Sequence, residues 1–347
     1  MVFRDNFLTT HTGALRDCIG GGRENNMADN PELGNDYDVY NNVFDGMSDD
    51  GLQIEGPCVN LREWQNTVRG GFVGIALCPI IVGPAFAIRN TLWNDGRGFK
   101  LGDHSSGHIF IEHNTVYSLT STGLKQTDHG MNNVHAWNNI LDVGYYVAEF
   151  TSAVSDPHGT EMDYNLVHSR DAKGGTRLYK WYYSTITTLE DLRAWYGQEI
   201  HGIYGQADFV NVATGDLRLQ PGSLGENAGK LIPGINTFDS PWPFTGTAPD
   251  MGAIEYGGVA PPPTADFEAS AYSVPALTEV SFTDISTGAI DTWYWDFGDG
   301  ATSSEKSPSH TFHNEGAYDV LLTVSGPGGE SSASVTIEVT GPVVSHE

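Results

Sequence analysis

An asparagine returns at the same point of a short alternating pattern through the first half of the chain, and no other feature constrains the fold as much. It stands in FRDNFL at Asn6, YNNVF at Asn42, WQNTV at Asn66, IRNTL at Asn90, EHNTV at Asn114, WNNIL at Asn139 and DYNLV at Asn165. The intervals are 36, 24, 24, 24, 25 and 26 residues. A second apolar run follows eight or nine residues later: GLQIEG from Gly51, GIALCP from Gly74, GFKLGD from Gly98 and GLKQTD from Gly123. One unit of this size cannot bury its own hydrophobic face, so a regular period means stacked units sharing a continuous core.

Leucine-rich repeats, propeller blades and parallel β-helices compete for such a period. The leucine signature and helical segment of the first are missing, and the period is about half that of a propeller blade. Short β-branched and aromatic runs with an asparagine at each bend predict a right-handed parallel β-helix. In such a solenoid, side-chain amides can ladder from coil to coil. The one long interval contains GGGRENNMADNPELGND, whose Gly, Asn and Asp content predicts a surface loop. After Asn165 the period decays. TTLEDLRAWYGQ, Thr187 to Gln198, predicts a helix flanking or capping the solenoid, because an open end exposes strand edges. Residues 1–258 are thus assigned to the β-helix and its closing segment, 259–264 to a proline-rich linker and 265–341 to a second domain.

That second domain carries WDFGDG (Trp295 to Gly300), SPSHTF (Ser307 to Phe312) and YDVLLTVSGPGG from Tyr318. It resembles the PKD (polycystic kidney disease) domain, which implies an immunoglobulin-like β-sandwich and an overall all-β protein. Turn-stabilising roles are expected of Asp296 and Asp299, ahead of calcium binding.

Composition limits the partners. Seventeen basic against 44 acidic residues give a formal charge of −27, which repels nucleic acid and anionic membranes. No apolar stretch approaches the roughly 18 residues of a membrane span. Cys18, Cys58 and Cys78 show no metal-binding spacing, so core packing with at most one disulfide is expected. MVFRDNFLTTHTG reads as strand and turn rather than as a signal peptide, so the N-terminus is expected to be trimmed. A secreted or cell-surface location is expected from the domain types alone.

Stacking the second strands in register gives inward columns Leu52, Ile75, Phe99, Leu124 and Ile54, Leu77, Leu101, Gln126. The outward column is Gln53, Ala76, Lys100, Lys125, and Arg16 can be aligned to it. Asp49 and Asp50 lie on the turn entering the first of these strands. Adjacent carboxylates beside a lysine suit β-elimination on a uronate polymer. There a base takes the proton α to a carboxylate that a divalent cation neutralises. SDDG followed two coils later by GFKLG resembles the calcium-dependent pectate lyases of polysaccharide lyase family nine. The resemblance covers about Asp36 to Asn114. It implies Ca²⁺ on Asp49 and Asp50 and Lys100 as the base. From their place in the outward column, Arg16, Lys125 and Gln53 are expected to contact an acidic polysaccharide. That family has a further carboxylate where this chain has Gln53, which moves the expected cation towards Asp45 or Glu55.

His113, beside a ladder asparagine, is the alternative catalytic group. Asp103 and Asp128 on adjacent coils offer a hydrolase pair. A binding protein of a different class, using the solenoid wall as a rigid glycan-binding or adhesive face without chemistry, fits the same features. Trp64 and Trp137, at the repeat position of Tyr40, are expected to pack.

Overall fold

The computed structural model describes residues 2–9, 36–47, 49–56, 59–93, 96–127, 129–151, 159–170, 177–237, 240–256, 263–287, 290–326 and 329–341. The chain forms two compact units, Met1–Gly258 and Val259–Glu347.

The first unit is a parallel β-helix. Its described strands stack in three sheets, of seven, eight and seven strands, to which successive coils contribute in turn. Sheet I runs from Val2–Arg4 through Leu61–Trp64 and Ile109–Glu112 to Glu161–Asp163. Sheet II runs from Phe7–Thr9 through Thr91–Trp93 to Ile203–Tyr204. Sheet III runs from Asp50–Gly56 through Val73–Ile80, Arg97–Gly102, Leu124–Thr127 and Ala148–Phe150 to Tyr179–Trp181. An antiparallel strand, Ser184–Ile186, finishes sheet III. The inward column Leu52, Ile75, Phe99, Leu124 is fully buried, and the strand register pairs its members coil by coil.

The corner between sheets I and II explains the repeat. Each ladder asparagine donates its backbone N–H and its side-chain amide to the Oδ1 of the next, from Asn6 to Asn42, Asn66, Asn90, Asn114, Asn139 and Asn165, at 2.8–3.1 Å. An asparagine is needed because buried backbone groups at a bend have no strand partner and must be satisfied by a side chain. The residue before each ladder asparagine is left-handed: Asp5, Asn41, Gln65, Arg89, His113, Asn138 and Tyr164 have φ of 55–58°. A second corner is built from glycine. A Cβ on Gly74 would lie 2.8 Å from the Gly98 carbonyl oxygen, and one on Gly98 would lie 2.6 Å from that of Gly123. The coils approach too closely there for any side chain.

The predicted helix forms over Leu189–Tyr196, with Thr188 as N-cap and Gly197 left-handed at its end. Leu189 and Leu192 join the solenoid core and cover its last coil. Ala207, Phe209, Leu217, Leu219 and Met251 of the closing segment pack on Tyr117, Ile140 and Leu166, so the outer face of sheet II is covered over its later coils.

The second unit is a sandwich of a three-stranded and a five-stranded sheet around Trp295, Phe282, Phe297 and Phe312. Asp296 accepts from the Gly298 N–H, and Asp299 from the Ala301 N–H and the His310 ring. Both acids are thereby occupied in holding the turn.

Candidate functional site

The polar outward face of sheet III is the wall that presents most of the sequence-derived candidates. The register aligns Gln53, Ala76, Lys100, Lys125, Glu149 and Lys180 in one column. Lys100 Nζ lies 3.1 Å from Oδ2 of Asp50, which enters the sheet two coils earlier. The lysine side chain is 25 % exposed and the aspartate 4 %, so the ion pair is reachable only from the lysine side. Burial pushes the Asp50 carboxyl above the ordinary carboxylate range, and the Lys100 ammonium opposes that shift. Asp49, half-buried beside it, adds a like charge. Lys125 Nζ lies 2.5 Å from Glu149 Oε1 in the next coil. Lys100 and Lys125 are thus each held by a carboxylate from another coil.

Other candidates are placed differently. Asp45 ends a strand of sheet II, in register with Arg69, whose guanidinium feels its charge. It thus belongs to a different sheet from Asp50. Gln53 is half-buried in the outward column. Glu55 lies in the Asp50–Gly56 strand, with its side chain outside the described set. Arg16, Asp128, Cys18 and Cys58 lie outside the described residues, and Cys78 is buried in the solenoid.

His113 is not a surface group. It occupies a left-handed corner position with no exposed area, and its Nε2 accepts from the amides of Asn138 and Asn236 at 2.9 and 2.7 Å. Burial, reinforced by the nearby Arg89 charge, drives its basicity well below that of an ordinary imidazole. The closing segment supplies Asn236 and the Arg89 partner Glu255, 2.8 Å away. The ring is a neutral packing element that no polymer can reach, and the local pattern EHNTV carried no sign of the segment that covers it.

Sheet I carries two half-exposed aromatic stacks. Phe86 and Phe110 stack at 5.1 Å, Phe110 and His135 at 4.8 Å, and Tyr40 on Trp64 at 4.4 Å. Because the rings cover one another's faces, they act first as packing. Trp137 is covered by the Lys230 ammonium, 4.0 Å from its ring centroid.

A parallel β-helix followed by an immunoglobulin-like sandwich defines the class. The second unit is a PKD domain: residues 259–341 match the family model described as "PKD domain". Among curated relatives, Collagenase ColQ1 of Bacillus cereus (strain Q1) is 47 % identical over 49 residues, 14 % of this chain and 5 % of that protein. The pre-pro-metalloprotease PrtV of Vibrio cholerae serotype O1 (strain M66-2) is 36 % identical over 81 residues, 23 % of this chain and 9 % of that protein. The chain thus spans under a tenth of the length of these relatives. The crystal structure of the PKD1 domain from PrtV matches at 35 % identity with a TM-score of 0.21, covering 22 % of this chain and 96 % of that one. The family match begins at residue 259 and leaves the β-helix unit to be read from its own geometry.

Proposed function

We propose that this is an extracellular polysaccharide-active protein whose β-helix works through the outward wall of sheet III, cleaving an acidic glycan by β-elimination. The observation that carries this reading is the Lys100–Asp50 pair: a partly exposed amine on a rigid strand, set against a nearly buried carboxylate from two coils away. Rigid strands hold a base more precisely than loops do. The relatives' printed names, a collagenase and a metalloprotease, belong to enzymes of macromolecules and support the extracellular setting.

Lys100 in its ion pair is protonated and cannot accept a proton. Asp50 is either its counter-ion or a cation ligand, not both at once. When Asp50 turns to a cation, Lys100 loses that carboxylate as a counter-ion and gives up its proton more readily. Asp49 and Asp50 offer too few oxygens for the six to eight that Ca²⁺ takes, so water and the substrate carboxylate must complete such a site. The cation's contribution would be to neutralise the uronate carboxylate. Lys100 Nζ then takes the α proton, the glycosidic C–O bond β to the carboxylate breaks, and the departing oxygen is protonated by water. Lys125 extends the column by one coil, about 5 Å, and contacts the next carboxylate.

The test is ultraviolet absorbance of the unsaturated product on a panel of uronate polymers, with Ca²⁺ and then with chelator. The expected result is a calcium-dependent rise that falls about 10²–10⁴-fold in Lys100→Ala, the usual contribution of a general base. A flat trace with every polymer, in folded protein, overturns the lyase reading.

One observation favours a binding role without chemistry: Lys125, like Lys100, already has a carboxylate partner. Retention on immobilised polyuronate without product would select that reading.

A further inference from the structure

Two turns that follow sheet III in successive coils bring Asp103, His104 and His129 together. Asp103 and His104 follow the strand Arg97–Gly102, and His129 follows Leu124–Thr127. Asp103 Oδ1 lies 3.6 Å from Nδ1 of His104 and 3.6 Å from Nδ1 of His129. All three donor atoms fall within 4.8 Å of one another. The two imidazoles stack at 4.0 Å. Among the described residues this is the one group of three or more such side chains with its donors so close together.

We propose that these three residues form a binding site for a divalent transition metal of the Zn²⁺ class, open to solvent on its remaining side. Donors on one tetrahedral ion stand about 3.4 Å apart, given bonds of about 2.0–2.2 Å. The carboxylate stands 3.6 Å from each ring nitrogen, close to that spacing. The two stacked rings must rotate out of their stack to bring both Nδ1 lone pairs onto one ion, which their exposure allows. Two imidazole nitrogens and one carboxylate oxygen suit Zn²⁺, Co²⁺ or Fe²⁺, whereas Ca²⁺ and Mg²⁺ prefer all-oxygen sets. This separates the site from the Asp49–Asp50 pair and makes it independent of the lyase reading.

The seat is firm even though the rings are exposed. Gly102, Asp103 and His104 are all left-handed, with φ of 112°, 48° and 66°. Ser105 holds this turn, donating through Oγ to the Gly102 carbonyl and accepting from the Ile80 N–H. Gln126 donates to the His129 carbonyl at 3.2 Å, which fixes the second turn. The two turns press together closely enough that a Cβ on Gly102 would lie 2.4 Å from the Thr127 carbonyl oxygen. Three protein ligands leave at least one coordination position for water or a ligand oxygen, the arrangement of catalytic rather than purely structural zinc sites.

The experiment is calorimetric titration of the full, tag-free chain with Zn²⁺, with Co²⁺ visible absorption as a second readout. The expected result is one equivalent bound, with nitrogen- and oxygen-ligated Co²⁺ bands. His104→Gln and His129→Gln should each weaken binding by more than the roughly 10- to 100-fold that loss of an outer-sphere partner costs. His108→Gln/His135→Gln alters a second histidine pair, whose rings approach to 3.3 Å, and should leave binding intact. Circular dichroism would confirm that each variant folds, which is expected because both substituted histidines of the site are exposed. No uptake by the native chain overturns the proposal. So does unchanged uptake in the His104→Gln/His129→Gln double variant.

Discussion

Glu199 ends the ladder that Asn165 continues. Its Oε1 accepts from the Asn165 side-chain amide at 2.8 Å and its Oε2 from the Asn165 backbone N–H at 3.3 Å. Tyr179 donates its hydroxyl to the same Oε1 at 3.1 Å. A glutamate thus does what the next asparagine would do, at the point where the coil repeat gives way to the helix. Glu199→Ala should cost about 2–4 kcal/mol, because it leaves several buried donors unpaired. Urea denaturation of the variant checks this, and a loss below about 1 kcal/mol would mean that water replaces the cap.

The interior of the ladder should be more sensitive still. Asn90 accepts from Asn66 and donates to Asn114 and to the Glu63 carbonyl. Asn90→Ala is expected to destabilise by about 3 kcal/mol or more, and Asn90→Asp by a similar amount, since a carboxylate cannot donate. Thermal melts of both variants read the effect.

Acid carboxyls buried in the solenoid predict a stability that falls as pH rises. Glu63 points into the core with no exposed area, and burial pushes its carboxyl well above the ordinary range. Burial likewise pushes Glu112 and Glu199 to about 7, and Asp250 to about 6. In each the folded-state value lies above the unfolded one. The protonated form is the one the fold accepts. For Glu112, Glu199 and Asp250 its stabilisation is complete below about pH 4 and lost by about pH 6 to 7. For Glu63 it is lost as pH rises through that group's elevated folded-state value. Each fully shifted group contributes up to about 1.4 kcal/mol per pH unit in that window. The melting temperature should therefore be higher at pH 5 than at pH 8. Glu63→Gln should flatten the profile, and a melting temperature that rises from pH 5 to pH 8 would contradict this account.

Gly98→Ala should fail to fold or lose at least about 1–3 kcal/mol. The added Cβ meets the Gly123 carbonyl oxygen at 2.6 Å and Val116 Cγ1 at 2.7 Å, with no space on either side. Gly197→Ala, where nothing lies within 4 Å, should lose only the cost of a left-handed alanine, about 1 kcal/mol. Yields and melts of the two variants separate crowding from backbone strain.

Lys100 and Asp50 should be coupled in stability. Asp50→Asn alone and Lys100→Met alone are each expected to destabilise, and the double variant by less than their sum. A double-mutant cycle by chemical denaturation measures the coupling, and strict additivity would mean the pair contributes nothing.

Much of this architecture is legible in the sequence because the solenoid is built from local repetition. The interval between Asn42 and Asn114 fixes coil length, glycines such as Gly74 and Gly98 mark the crowded corner, and alternation in LKQT separates Leu124 from Lys125. Stacking translates each position onto its equivalent one coil away, so the outward column of Gln53, Ala76, Lys100 and Lys125 is already implicit in the repeat. Such inferences stop where the period stops. Nothing in the spacing announces Glu199 as a cap, because 34 residues separate it from Asn165. Nothing around His113 foretells Asn236, 123 residues away, closing over it. Counter-ions were equally hidden: Lys100 meets Asp50 and Lys125 meets Glu149 through side chains that reach between coils. The sequence by itself determined the coil, its period and its inward face, since these follow from hydrophobic alternation and bend chemistry. Tertiary structure decided which wall is covered, which ring is sealed in and which charges are paired. Those properties depend on contacts between residues far apart in the chain, where periodicity carries no information.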